Sequence, residues 1–332
     1  MVLAFETTYG TPPASDFSRI SVASTALGEE QSLLAPELLD YGRVPLLPSR
    51  GVVIVDGNIV IPIDAASIGF WLNTAVGAPT TVGATRKTPT FRSCNWNLAS
   101  FSMEIGTAEV PRNAMYAGCK RYCESWQMDR SGLLTATPSF VAQGGTIAAT
   151  SAARSLADLA LGCFGHFKWS IKRSAQAIGN VVTTGNVVTT DINYAHNLNR
   201  IAAVRSDGKI EGADPSVAAL TGNNVIRLAD QTLVIQAING EACTLEFDCR
   251  QTGGVGLKLT PHVFYLPRPR AEIVGQRGIP STFDWQAALT ADPGSICTVA
   301  LNNVVTGYLD EQVVPLAVSR YDALTFALGC PA

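Results

Sequence analysis

Three histidines are the first residues of this sequence that could support catalysis or metal binding. They are His166, His196 and His262, and no two have the i, i+4 spacing that places two metal ligands on one helix face. His196 lies five residues after Asp191, but the chain has no Gly-x-Ser-x-Gly turn to expose a nucleophilic serine. The sequence therefore predicts no catalytic histidine and no enzyme activity.

Cys119 and Cys123 form the closest cysteine pair, with a C-x3-C spacing that no second pair repeats. On a strand, residues four apart share a face and lie about 13 Å apart, which is too far for a disulfide. We interpret them as two core thiols. The eight cysteines are dispersed along the chain, which predicts mostly buried, reduced thiols in a protein made in the cytoplasm. They are Cys94, Cys119, Cys123, Cys163, Cys243, Cys249, Cys297 and Cys330.

The run Gly253-Gly254-Val255-Gly256 could be mistaken for a phosphate-binding loop. It lacks the Lys-Ser/Thr ending and precedes a strand pattern, so a hairpin turn is the better interpretation. The acidic residues around it and earlier in the chain do not follow the D-x-D-x-D-G order of a calcium loop. We therefore predict no cofactor and no metal site.

The composition points to an assembly subunit. Charged residues are 15% of the sequence, against about 25% in an ordinary soluble domain. Hydrophobic residues reach 47%, yet no apolar run approaches the roughly 18 residues of a membrane helix. A strand-rich chain with so little charge is expected to cover part of its surface with other copies of itself.

The lack of a long apolar run argues against a membrane span, and the charge distribution argues against tight nucleic-acid binding. Net charge is −3, and the basic residues occur as scattered pairs rather than as a patch that could grip phosphates. The opening residues 1–13 have no basic start and no apolar core, so we expect no secretory signal.

Short segments with period-two alternation run through most of the chain and predict a mainly β fold of sandwich or barrel type. Residues 52–64 indicate a hairpin around Asp56-Gly57. Residues 68–76 indicate a short helix that ends at Gly77, with Ile68, Trp71, Leu72 and Ala75 on one face. Residues 116–129 predict a strand with Cys119, Arg121, Cys123, Ser125 and Gln127 on one side.

Two β domains are expected. The predicted organisation is an N-terminal arm (1–17), a first domain (18–144), a linker with a short helix (145–165), a second domain (166–303) and a C-terminal extension (304–332). A weak internal repeat, which we call the Thr-Pro echo, places a Thr-Pro pair in 133–141 and again in 256–264, and it is compatible with two related domains.

Residues 29–50 form a long connection rich in leucine and proline, which is uncommon in a compact monomer. Its apolar side chains need a cover, and a neighbouring subunit would supply one. Together with the N-terminal arm, it gives the candidate contacts between subunits or rings: Phe5, Tyr9, Leu33, Leu34, Leu38, Leu39, Tyr41, Leu46 and Leu47.

The order of these segments resembles the two-domain phage tail tube (major tail) proteins of long-tailed phages. The opening AFETTYGTPP is similar to the family's N-terminal arm, and residues 51–77 are similar to its strand, turn, strand and glycine-ended helix. Residues 98–144, with Tyr-x-Gly-Cys-Lys between strands, follow the family order. Segments TTDINYAHNLNRI, TGNNVIRLAD and GLKLTPHVFYLPRPRAEIVGQRGI resemble the second domain. The resemblance covers about residues 3–303, and 304–332 depart from it.

This resemblance implies a structural virion protein with two tail-tube-like β domains. Its subunits would stack as rings, trimeric and pseudo-hexameric or alternatively hexameric, around a central β-barrel lumen through which DNA is ejected. The implied partners are other copies of the chain, a tape-measure protein, and tail terminator and tail-tip proteins. The resemblance also implies assembly in the bacterial cytoplasm and a place in the virion tail.

Two other classes stay open at this stage. One is another virion subunit that forms a single ring or decorates a surface, such as a terminator, tail-tip or head decoration protein. The other is a carbohydrate-binding or hydrolytic β protein. The five dispersed tryptophans speak against the latter, because a sugar site needs clustered aromatics beside paired carboxylates.

Overall fold

A computed structural model describes most of the chain as strands. It describes residues 1–36, 44, 46–83, 86–93, 95–107, 109–129, 133–151, 163–164, 167–173, 176–177, 185–228, 231–251, 254–269, 280–289, 294–305 and 308. Two predicted features, the helix near 155–163 and almost all of the extension 304–332, lie outside these residues.

The first half of the chain contains eleven described strands and one helix. They are β1 (Val2–Phe5), β2 (Ser18–Arg19), β3 (Ser24–Thr25), β4 (Gly28–Leu34), β5 (Ser49–Pro62), α1 (Ile68–Val76), β6 (Thr80–Val82), β7 (Thr88–Arg92), β8 (Phe101–Thr107), β9 (Arg112–Asp129), β10 (Thr135–Ala142) and β11 (Gly144–Ala148).

The second half contains eleven more described strands and a second helix. They are β12 (Phe167–Arg173), β13 (Gln176–Ala177), β14 (Gly185–Ala195), β15 (Asn199–Ile201), β16 (Gly212–Asp214), β17 (Ala219–Leu228), α2 (Thr232–Asn239), β18 (Cys243–Arg250), β19 (Gly256–Pro261), β20 (Val263–Tyr265), β21 (Pro280–Ala288) and β22 (Cys297–Asn302). The mainly β fold is confirmed.

A continuous antiparallel sheet joins the two halves. Its order is β4, β5, β10, β9, β14, β17, β21 and β20, and the β9–β14 pairing crosses from one half to the other. A second crossing pairs β7 with β22. Most of the buried apolar side chains form one cluster that contains residues of both halves. The described strands do not close into a barrel within one chain.

Helix α1 forms where the sequence predicts it. Its apolar spacing lets Ile68, Trp71, Leu72 and Ala75 all become buried, and Gly77 ends the helix at a φ of 96° that favours glycine. The Asp64 carboxylate accepts hydrogen bonds from the backbone N–H groups of Ala66 and Ser67, which organises the turn before the helix.

The predicted hairpin at Asp56-Gly57 is wrong, because β5 continues through it as one strand. Gly57 lies between two neighbours, with β10 on one side and the start of β4 on the other. Its φ is 146°, and a Cβ there would lie 2.4 Å from the Ala26 carbonyl oxygen. The glycine therefore permits a close approach of two backbones and not a turn.

The prediction for β9 is half wrong. Its inward face follows the predicted alternation as far as Arg121, and then changes over to Glu124, Trp126 and Met128. The cause is a β-bulge, because Ser139 pairs with Cys123 while the next residue, Phe140, pairs with Arg121. The extra residue, Tyr122, is 41% exposed. A bulge shifts the faces of a strand by one residue.

The two halves repeat one topology. In each, a hairpin strand (β4 or β14) pairs with a long strand (β5 or β17) that leads into a glycine-ended helix (α1 or α2). In the first half β1 pairs with β8, and in the second half β12 pairs with β18 in the same way. The second edge of the long strand is paired with β10 in the first half and with β21 in the second. A last strand, β11 or β22, pairs with β9 or β19.

This repeat is consistent with two related units, although the Thr-Pro echo in the sequence does not mark it. Residues 133–141 include most of β10 and residues 256–264 include β19, and these strands occupy different places in the two halves. The domain boundaries given above remain a prediction. Strand β11 occupies residues 144–148, which the sequence assigned largely to the linker.

Candidate assembly surfaces

The connection at 29–50 is in part a strand hairpin. Within the described residues β4 pairs only with β5, from Gly28 opposite Asp56 to Leu34 opposite Ser49. Leu33 is 68% exposed and Leu34 57%. We call β4, residues 35–48 and the start of β5 the hairpin arm. Its predicted contact residues Leu38, Leu39 and Tyr41 lie outside the described residues.

The geometry of β5 explains why the described residues of the arm are exposed. Strand β10 covers β5 only from Val55 onward, so that the earlier part of β5 lies beyond the end of β10. There the Val53 N–H donates to the Gly208 carbonyl at 3.0 Å. Leu47 is 88% exposed, and Leu46 is half-buried. Val52 and Ile54 also face outward, which gives the arm an apolar surface with no cover in the described chain.

The N-terminal arm contacts its own chain. Phe5 lies in β1 and packs edge to face against Phe101, with ring centroids 6.4 Å apart. The buried Glu6 carboxylate accepts hydrogen bonds from Ser102 Oγ at 2.6 Å and from the Gly118 N–H at 2.8 Å. The Tyr9 ring lies under Lys120 Nζ at 5.4 Å. Phe5 and Tyr9 therefore pack within the monomer, and their role between subunits stays a prediction.

The junction between the halves contains a buried ion pair. Arg121 and Glu124 both point inward because the bulge at Tyr122 places them on one face. Arg121 Nη2 donates to Glu124 Oε1 at 3.1 Å, and Arg121 Nη1 donates to the Trp71 carbonyl of α1. Burial lowers the pKa of Arg121 and raises that of Glu124, while their mutual attraction opposes both shifts.

His196 lies at the same junction, at the end of β14, and it is 3% exposed. Its backbone N–H donates to the Tyr122 carbonyl at 2.9 Å, and its ring packs edge to face on Tyr194 at 5.0 Å. Burial, followed by the positive charge of Arg121, lowers the pKa of His196 to about 4, although a hydrogen bond with the Ala75 backbone opposes this shift. The histidine is therefore a buried, neutral residue that packs at this junction.

We expect the low pKa of His196 to make folding stability depend on pH. The unfolded histidine takes up a proton near pH 6.5 and the folded one only near pH 4, so stability falls as the pH drops through this interval. The loss should be about 3 kcal/mol. Urea unfolding of wild type and His196→Gln at pH 7 and pH 4 measures it. An equal pH dependence in both proteins would contradict the assignment.

The other described residues that the sequence analysis considered for chemistry lie in or beside the core or in a turn. Cys119 is fully buried and Cys123 half-buried, and the six described cysteines are all free thiols. Gly254, at a φ of 85°, lies in the turn between the antiparallel strands β18 and β19, as predicted, and Gly256 begins β19. Within the described residues, no group of three or more His, Cys, Asp or Glu side chains is arranged to hold a metal ion.

The tryptophans and helices bear on two further expectations. Trp71, Trp126 and Trp285 are buried in the core, whereas Trp96 is exposed by itself. They do not form the aromatic platform of a sugar site among the described residues. Neither described helix has the length and apolar character needed to cross a bilayer.

Comparison with known families decides the class of the protein. A profile of the phage tail tube protein family matches residues 1–287. The chain belongs to the phage tail tube protein family. The match includes both halves and ends within β21, earlier than the resemblance in the sequence suggested. A search of curated proteins found no match.

Family membership confirms the predicted resemblance to phage tail tube proteins. The protein is a structural tail tube protein and a component of the phage virion tail, in a family that is typically non-enzymatic. Membership in this family also implies self-assembly into a tube. The sequence did not reveal the bulge at Tyr122 or the Arg121–Glu124 pair, because their signal is a register shift that only the pairing of β9 with β10 displays.

Proposed function

We propose that this chain is the major tail tube subunit, that it polymerises as stacked rings, and that DNA is ejected through the central bore. The observation that carries the proposal is the repeated topology. Within one chain, β14 of the second half pairs with β9 of the first. Strand β4 holds the equivalent place in the first half and has one open edge in the described chain. A second copy can continue the sheet there by strand addition.

Three chains then form a ring of six similar units, and the closed sheet removes its own edges. A ring of six chains is the alternative arrangement. The outward face of the joined strands supports a role as the wall of the bore, because it presents hydroxyl, amide and carboxylate groups. Examples are Ser125, Asn193, Thr221, Asp284 and Gln286. Such a surface binds phosphates weakly and lets DNA slide.

The part of the hairpin arm beyond β4, residues 35–48, is proposed as the contact between rings, since β4 itself is assigned to the sheet within a ring. Among its described residues, Val44 and Leu47 are exposed, and the burial of such apolar side chains contributes about 25 cal/mol per Å². A tape-measure protein inside the tube, and terminator and tip proteins at its ends, are the further partners. Assembly takes place in the bacterial cytoplasm. A protein that forms one ring and stops, or that decorates a surface, is the competing function.

Electron microscopy of the purified protein and of an arm variant tests this function. Leu34 and Ser49 are cross-strand partners, so replacing residues 35–48 with Asn-Gly closes the hairpin with a two-residue turn. We expect extended tubes from wild type, and folded rings or monomers from the arm variant. Leu47→Ser, at a position that is 88% exposed, is the milder companion change. Normal tubes from the arm variant would remove the arm assignment, and single rings from wild type would favour the competing function.

A further inference from the structure

Helix α2 presents an apolar pair to solvent. Ile235 and Ile238 are three residues apart and therefore share one side of the helix, and each is 49% exposed. The opposite side, with Leu233, Gln236 and Ala237, is buried in the second half. We call Ile235 and Ile238 the α2 patch. Two neighbouring exposed isoleucines on one helix side form an apolar surface that a partner can cover.

The repeated topology identifies the equivalent residues of α1. Leu72 and Ala75 lie five and two residues before Gly77, as Ile235 and Ile238 do before Gly240. Both α1 residues are 1% exposed. The same helix side is therefore buried in the first half and exposed in the second.

The cover over α1 comes from the other half of the chain. Leu72 and Ala75 line a small cavity whose far wall is formed by strands β14, β17, β19 and β22. The apolar side chains on that wall include Ile192, Leu220 and Val299. The pairing of β14 with β9 brings this wall to α1, so sheet continuation and helix burial occur at the same junction.

We infer that the α2 patch packs against the first half of the next copy of this chain in the ring, on the side of its β4 and β11. These two strands are the equivalents of β14 and β22, which cover α1. They present apolar side chains that the monomer leaves exposed, with Leu33 at 68% and Ile147 at 66%. The inference rests on the proposed ring, and it names the helix that the ring buries.

The contact is heterologous, since one copy uses α2 and its neighbour uses β4 and β11. A heterologous contact repeats around an axis and closes when the rotation per unit divides a full turn. The internal junction already fixes that rotation between the two halves of one chain. Repeating it from chain to chain extends the same geometry around the ring.

Hydrogen–deuterium exchange on the assembled tube and on dilute, unassembled protein tests the inference. Amides of α1, at 69–76, should be protected to the same degree in both states, because their cover lies within the chain. Amides of α2, at 233–239, should exchange at least about tenfold more slowly in the tube. Equal exchange of α2 in both states, from tubes that form normally, would overturn the inference and leave the proposed function standing.

A double substitution tests the same surface. Ile235→Asp with Ile238→Asp puts two charges on an exposed face, so α1 should keep its slow exchange while tubes and rings are lost. Ile235→Leu keeps an apolar side chain and should assemble as wild type does. Normal tubes from the double aspartate variant would overturn the inference. If wild-type protein forms neither rings nor tubes at any concentration, the proposed function itself fails, and the inference fails with it.

Discussion

Glu124→Gln should destabilise the protein by about 3–5 kcal/mol, because it leaves a buried cation without its counter-charge. Arg121 is fully buried and cannot lose its proton at any ordinary pH. Its guanidinium lies 5.7 Å from the Trp71 ring centroid and 6.0 Å from that of Phe140, and these contacts do not replace a carboxylate. Urea unfolding at pH 7, with the midpoint and slope compared with wild type, measures the loss.

Removing the arginine instead of the glutamate should lower the free energy of unfolding by less. Arg121→Met leaves Glu124 buried, but a carboxyl can take up a proton and become neutral. Without the arginine, burial still raises the pKa of Glu124, although a hydrogen bond from the Trp126 side chain opposes the rise. A raised folded pKa adds stability at low pH that is lost as the pH rises. The methionine variant should therefore lose less stability, relative to wild type at the same pH, at pH 5 than at pH 8.

The double variant, Arg121→Met with Glu124→Gln, completes the cycle. It should recover much of the stability lost in Glu124→Gln, since no buried charge remains. A Glu124→Gln protein that unfolds at the wild-type urea concentration would show that the ion pair does not hold the junction. So would a double variant no more stable than Glu124→Gln.

This ion pair also shows where sequence reasoning reached its limit. Period-two alternation predicted the existence of β9 and placed Arg121 on the same side as the core thiol Cys119, because those properties follow from local spacing. It could not predict that Glu124 would turn inward as well. That outcome depends on the register between β9 and β10, and register is set by contacts far apart in the sequence.

The same distinction applies to β5 and α1. Helix α1 was predictable because its apolar spacing and its terminal glycine act within one short segment. Asp56-Gly57 has the composition of a turn, but β4 and β10 pair on both sides of it and hold it extended. The exposed leucines of the hairpin arm were expected from composition. The α2 patch was not expected from the sequence. It stands out only when Ile235 and Ile238 are compared with the equivalent residues of α1, which are buried.

Tyr308, the last described residue, packs against α1, and this contact leads to a prediction for Gly69. Tyr308 is 1% exposed, its hydroxyl donates to the Ala66 carbonyl at 2.9 Å, and its own carbonyl accepts from Asn73 Nδ2 at 3.0 Å. Its ring packs edge to face on Phe70, with ring centroids 5.3 Å apart. A Cβ on Gly69 would lie 2.3 Å from the Tyr308 ring, so the helix needs a glycine here to admit the tyrosine.

Gly69→Ala should therefore destabilise the protein by about 1–3 kcal/mol through overpacking, although alanine is the better helix former by about 1 kcal/mol. Tyr308→Ala should cost about 3–5 kcal/mol, as for other large buried aromatics. In the Tyr308→Ala background the sign should reverse, and Gly69→Ala should become neutral or stabilising because the helix propensity is then unopposed. Thermal and urea unfolding of the four proteins in this cycle measure the reversal. If Gly69→Ala lowers the free energy of unfolding equally in both backgrounds, Tyr308 is not the residue that the glycine accommodates. The packing of Tyr308 against α1 would then be wrong.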